Sequence, residues 1–374
     1  MEEKEKKEKE ETVVIAPVEE EKKSHKKRAI LLLLLLLITG FLLTTSTYAW
    51  FTSNTTVSVN NIQVTVATQN GIQLSVDAIN WKSILSTTDL QGAYNTYGAA
   101  TNQLPATLEP VSTALDIEND YFKMFYGTVG TNTAGDYIIT ATDVSTVLDN
   151  HTKVEGTAGG TTGKFVMFDL FFKLDGKTGD ATNIYMTSSS GIKAEGNDTG
   201  IKNASRVAFI NLGKLTSDKT STEVQAITGG TDKYLWEPNY DAHTATGVNN
   251  AVQVYKMGAD SLTAGTGNAA VSYDGINSVI TADENVKLGE ANSGHATSGS
   301  KFTTVTPTYQ TKEEFSGTDS KESQQIFDLT AGYITKVRVY FWIEGQDIDC
   351  ENGASGGNIV LNLQFTTNAP TTGE

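Results

Sequence analysis

Two hydrophobic patterns divide the chain. Ala29–Leu43 is one apolar block, interrupted only by Thr39 and Gly40 and containing seven consecutive leucines, Leu31–Leu37. Beyond Val57 the apolar residues recur instead at every second position. The block predicts a single helix: about 20 apolar residues cross a bilayer and about 7–15 make a secretion-signal core. Extended through Phe51 it meets the first description, and alone it meets the second. The alternating part predicts strands. Val57 and Val59, then Ile62, Val64 and Val66, form one run with a break at Asn60-Asn61 that reads as a bulge. Ile72, Leu74 and Val76 form another, and the intervening Asn70-Gly71 predicts a hairpin.

Further along, both alternating sets of Phe165–Leu174 are apolar, with Asp169 and Lys173 as exceptions, which predicts a strand buried on both faces. Asp169 reads as a paired core carboxylate or a strand-face switch, with structural pairing favoured over catalysis. Val337, Val339, Phe341 and Ile343 alternate against Lys336, Arg338, Tyr340 and Trp342. Ile359, Leu361, Leu363 and Phe365 alternate against Val360, Asn362 and Gln364. Each of these strands is expected to have one core face. Helical periodicity is nearly absent outside the first block. The expected class is all-β, an antiparallel sandwich or jelly roll preceded by one N-terminal hydrophobic signal or membrane helix. The divisions are a charged tail 1–28 read as disordered, the helix 29–49, and an extracellular sandwich 50–374 with loop-rich insertions at 86–160 and 213–325.

Charge fixes the orientation. Residues 1–28 hold nine Glu and nine Lys/Arg, so the whole net charge of −16 lies beyond the apolar block. Lys22, Lys23, Lys26, Lys27 and Arg28 precede the block, and the next basic residue is Lys82. The positive-inside rule places the N-terminus in the cytoplasm and the bulk outside. So acidic a domain lacks the clustered cations that nucleic acid demands. The single cysteine, Cys350, excludes an intramolecular disulfide framework and reads as a small buried apolar residue.

Candidate chemistry is sparse. No nucleophile elbow, His-supported nucleophile or phosphate loop is present, so no enzyme is expected. The four histidines, His25, His151, His243 and His295, show no metal-ligand spacing and read as loop residues. Glu344, Asp347 and Asp349 offer oxygen ligands to calcium in a D-x-D loop, the one cofactor in view. The competing reading is a solvated acidic loop between strands.

The junction Thr47-Tyr-Ala-Trp-Phe-Thr-Ser-Asn, between the apolar block and the first alternating strand, resembles the export junction of the TasA/camelysin proteins of Gram-positive cell surfaces and biofilm matrices. The resemblance implies signal-peptidase cleavage between Ala49 and Trp50, a jelly-roll mature domain and assembly by donor-strand exchange. Val57, Val59, Ile62, Val64 and Val66 would be the donor residues. It also implies that the partners are the membrane through Ala29–Leu43, other copies of the chain, and cell-surface or matrix components. The expected role is a structural surface protein, tethered as a single-pass protein or released, with fibres as the polymeric form. The alternative is an adhesin or glycan-binding module using Tyr94, Tyr97, Trp236 and Tyr240, although Trp236 also suits a core.

Overall fold

A computed structural model describes Ile30, Leu32 and residues 56–67, 71–145, 162–245, 247–248, 273–287, 301–312, 325–350 and 355–369. The chain divides into two units, Met1–Thr47 and Tyr48–Glu374. In the first, Ile30 and Leu32 are helical and exposed. The tail 1–28, the remainder of Ala29–Leu43 and the Ala49–Trp50 junction lie outside the described residues. No described helix is long and apolar enough to cross a membrane.

The second unit is all-β. One sheet, here the outer sheet, contains β1 (Val57–Val66), β3 (Ile84–Leu85), β4 (Thr107–Leu108), β5 (Thr162–Gly163), β7 (Ala181–Met186), β8 (Gly191–Ala194), β12 (Phe327–Thr330) and β14 (Asn358–Thr366). Its order is β12-β7-β14-β1-β4-β5, with β8 also on β14 and β3 also on β1. The other, the inner sheet, contains β2 (Ile72–Ser75), β6 (Val166–Leu174), β9 (Ser205–Thr216), β10 (Asp232–Glu237), β11 (Tyr309–Gln310) and β13 (Tyr333–Ile343). Its order is β11-β10-β9-β13-β6-β2.

One core lies between the sheets. Val57, Ile62, Val64 and Val66 of β1 and Ile359, Leu361, Leu363 and Phe365 of β14 meet Val166, Phe168, Leu170 and Phe172 of β6 and Val337, Val339 and Phe341 of β13. Val59 is half-buried against this core. Phe365 ties the layers together, with its ring edge-on to Phe172 at 5.2 Å and to Phe209 at 6.0 Å. Cys350 is fully buried in the same core. β1 runs parallel to β14, and its register slips between Val59 and Asn61, where the sequence pattern places a bulge.

The Asn70-Gly71 hairpin does not form. β1 pairs with β14, β3 and β4, whereas β2 pairs with β6 in the opposite sheet. Both apolar rows are buried by facing one another across the core, so the link through Gly71, at φ +64°, changes sheets. Hydrophobic burial outweighs the local turn signal here.

The second departure is β13, which has two buried faces rather than one. The far side of the inner sheet is covered by a second core, in which Phe165, Met167, Phe171, Tyr340 and Trp342 pack with Tyr97, Val111, Phe122 and Met124 from the 86–160 insertion. β6 is buried on both faces, as its two apolar rows require. The cover also encloses Lys336 and Arg338. Each finds a partner in Asp169, which faces Arg338 across the β6–β13 ladder. Arg338 Nε and Nη2 donate to the two Asp169 oxygens at 2.8 and 3.1 Å, and Lys336 Nζ lies 3.3 Å from Oδ2. Lys336 also donates to the Tyr97 hydroxyl at 3.0 Å and the Gln225 carbonyl at 2.7 Å. Burial alone would push the Asp169 carboxyl up, but Arg338 and Lys336 hold it below the usual carboxylate range.

Removing one partner of such a pair strands a buried charge, at about 3–5 kcal/mol. Asp169→Asn is therefore expected to lower unfolding free energy by that amount in urea titrations. Asp328→Asn, which breaks the exposed Lys214–Asp328 pair, should cost less than about 1 kcal/mol. Equal losses would contradict the assignment.

Candidate functional site

Three neighbouring strands of the inner sheet end together, and a second group of buried charges collects there. Arg206 is the second residue of β9, Glu237 closes β10, and Glu344, Gln346, Asp347 and Asp349 occupy the loop that leaves β13. That loop is not a solvated acidic connection: Glu344 and Asp349 are fully buried and Asp347 is 5% exposed. Arg206, itself 1% exposed, places Nη2 2.6 Å from Asp347 Oδ2 and 2.6 Å from Glu237 Oε1. Its Nη1 donates to the carbonyls of Asn203 and Ser205. Glu237 Oε2 accepts from Gln310 Nε2 at 2.6 Å.

The segment after β10 brings His243 onto the same loop. Its Nδ1 lies 2.9 Å from Asp349 Oδ2. Asp349 Oδ1 accepts from the Thr244 amide at 2.7 Å and the Thr244 hydroxyl at 2.8 Å. The Asp349 amide in turn donates to Asp347 Oδ1 at 2.8 Å. Gly247 permits this close approach: a Cβ there would lie 2.4 Å from the Ile348 carbonyl and 2.8 Å from Asp349 Oδ1. His243 is thus no surface-loop histidine; its side chain is 8% exposed.

The three carboxylates singled out in sequence are only partly brought together. Glu344 Oε2 accepts from Trp342 Nε1 at 3.0 Å and Oε1 from the Gln346 amide at 3.0 Å. Its oxygens are committed to the protein. The side chains with donor atoms within 4.8 Å of one another are His243, Asp347 and Asp349. Calcium takes six to eight oxygens, so a set containing imidazole and excluding Glu344 fits it poorly. His243 was not legible as a member. The D-x-D pair marks two carboxylates in one loop and carries no signal for a histidine 106 residues before Asp349.

Burial pushes Glu344 up to about 7, against the opposing hydrogen bonds from Trp342 and Ser112. Burial likewise raises Glu237 despite Arg206. For His243, burial would lower the pKa, but the bond to Asp349 and the charges of Asp347 and Glu237 outweigh it and the proton is held more tightly.

A separate cavity of about 640 Å³ opens near the end of β8. Lys193, Lys202 and Lys312 line it together with Ser190, Asn239 and Thr311. Lys202 is paired with Asp198. Of the loop aromatics, Trp236 is fully buried, stacked on Tyr309 at 6.2 Å, and donates from Nε1 to the Thr311 hydroxyl. Tyr97 is 4% exposed. Neither offers a sugar platform.

No protein-family model, curated protein or solved structure matches the chain. The interpretation of both sites rests on their own geometry.

A carboxyl whose folded pKa lies above its unfolded value favours the native state at low pH. That advantage is lost as pH rises through the folded value. Glu344 and the raised His243 both act in this direction. Glu344→Gln removes one acceptor and shifts absolute stability, but its amide cannot ionise. Between pH 5 and 8 in buffer with EDTA, the wild-type decline in urea-unfolding free energy should exceed that of Glu344→Gln by on the order of 2–3 kcal/mol. Parallel profiles would contradict a raised Glu344.

Proposed function

We propose that the chain is an exported structural protein of the cell surface or extracellular matrix, a jelly-roll form of the sandwich preceded by a hydrophobic N-terminal helix. It is tethered through Ala29–Leu43 or released by cleavage between Ala49 and Trp50. The observation that carries the reading is the position of β1. The first strand after the export stretch supplies Val57, Ile62, Val64 and Val66 to the inter-sheet core and pairs with the last strand, β14. A strand at the start of the chain, holding its place by backbone pairing and alternate apolar side chains, has the attributes of one that a second copy can supply. Within one chain it completes its own sandwich. Exchanged between copies, it links them into a fibre. The mixed acidic surface suits a soluble exported domain.

The second reading, a surface binding module, is favoured by the lysine-lined cavity rather than by loop aromatics. Lys193 and Lys312, beside the Lys202–Asp198 pair in one concavity, suit an anionic group on a glycan or matrix polymer.

N-terminal sequencing of the extracellular form separates the structural alternatives. The release reading expects Trp50 as the first residue. Recovery solely of intact chains that retain Leu31–Leu37 would contradict release and leave the tethered form.

A further inference from the structure

Resting on the binding-module reading, we propose that the cavity beside β8 binds a sugar acid, with its carboxylate at Lys193 and Lys312 and its hydroxyls on the neighbouring polar groups. At about 640 Å³ the cavity lies within the roughly 300–1,000 Å³ of small-ligand sites. β8 forms one wall. Asn239, Thr311 and Lys312, which follow β10 and β11, form the other. Among the described strands β8 pairs with β14 alone, so its second edge is open.

The backbone of that edge sets what it can hold. The Glu195 amide donates to the Asn358 carbonyl of β14, and successive residues of an antiparallel strand alternate between bonding to the neighbour and turning away from it. Lys193 therefore bonds to β14, whereas Ile192 and Ala194 turn their amides and carbonyls outward. The Ile192 carbonyl is already taken, because Asn239 Nδ2 donates to it at 3.2 Å. An added peptide strand would need that acceptor, so strand addition along β8 is blocked near its centre. The edge that remains is rich in donors, the two outward amides and the lysine ammonium groups. It matches a ligand that brings acceptor oxygens.

Charge narrows the ligand to an anion. The lining holds three lysines against one carboxylate, Asp198, which is engaged by Lys202. Lys193 is exposed, and its ammonium group has no hydrogen-bond or ion-pair partner among the described residues. Lysine is a compact point charge rather than a planar fork, which suits a single carboxylate set among hydroxyls. Asn239, 3% exposed, gives its Nδ2 to the Ile192 and Lys202 carbonyls, so Oδ1 is the atom it offers to a ligand hydroxyl. An acceptor beside the cations favours a hydroxylated carboxylate over a ligand that brings acceptors alone.

The test titrates the full chain, in a neutral detergent, with trigalacturonate by calorimetry. The fully methyl-esterified trimer, which keeps the hydroxyls and loses the charge, and inorganic phosphate are titrated in parallel. One equivalent of trigalacturonate is expected, bound more weakly as sodium chloride is added. The ester should bind about tenfold more weakly or worse, as should trigalacturonate to the Lys193→Gln chain, the loss of one charge-assisted hydrogen bond. Lys219→Gln, beyond the other end of β9, should leave the affinity unchanged. An ester bound as tightly as the acid, or undiminished binding by Lys193→Gln, would overturn the site. Phosphate binding without trigalacturonate binding would reject the sugar acid. Retention of the chain on a sulfated-polymer column, with no effect of Lys193→Gln, would reject this cavity and keep the binding-module reading. If trimer, phosphate and column all fail, that reading falls as well.

Discussion

The outer sheet holds together through the parallel pairing of its first and last strands. β1 lies between β14, which carries β7, β8 and β12, and the short strands β3, β4 and β5. Taking β1 away separates β14 and its neighbours from β4 and β5, leaves β3 unpaired in that sheet, and uncovers the β14 backbone edge. It also removes Val57, Ile62, Val64 and Val66 from the core opposite β6 and β13. Backbone pairing and side-chain burial thus act along the same strand. The cost is topological, because the contact joins residues 298 apart, such as Thr65 and Leu363. Pairing at that separation carries a loop-closure entropy cost that non-local contacts must offset.

The inner sheet obeys a different constraint. With apolar cover on both faces, polar side chains on β6 and β13 find partners within the protein. Asp169, Lys336 and Arg338 do so at mid-sheet as a nearly balanced group. At the end of the sheet, Arg206 and His243 face four carboxylates. The two groups differ in charge balance. In the first, two cations share one carboxylate and the group is saturated by hydrogen bonds. In the second, anions exceed cations and Nε2 of His243 is unmatched.

Much of this was visible in the periodicity of the chain. The two apolar rows of Phe165–Leu174 predict burial on both faces, and the Asn60-Asn61 break predicts the register slip. Of the two readings of Asp169, the paired core carboxylate is the one that holds. Strand partners were not visible, because alternation reports which face is buried and not against which neighbour. The Asn70-Gly71 signal therefore suggests a hairpin where the chain changes sheets. The second face of β13 was hidden for a related reason: its cover comes from isolated residues such as Val111, Phe122 and Met124 in a Thr- and Gly-rich region. His243 and Asp349 are 106 residues apart, and the D-x-D spacing that marks Asp349 does not point to His243.

The structural reading depends on whether β1 can leave its own sandwich for another. Thr65 and Gln364 are register partners on β1 and β14, half-buried and outside the core cluster. Thr65→Cys/Gln364→Cys would lock β1 in place by a disulfide, while native Cys350 stays buried. Fibre formation by the chain beginning at Trp50, followed by electron microscopy with the lock closed and then reduced, is the most direct measurement. The account predicts fibres from the unlocked chain, none from the oxidised variant, and their return on reduction. Fibres that form equally with the lock closed, or an unlocked chain that never assembles, would contradict it.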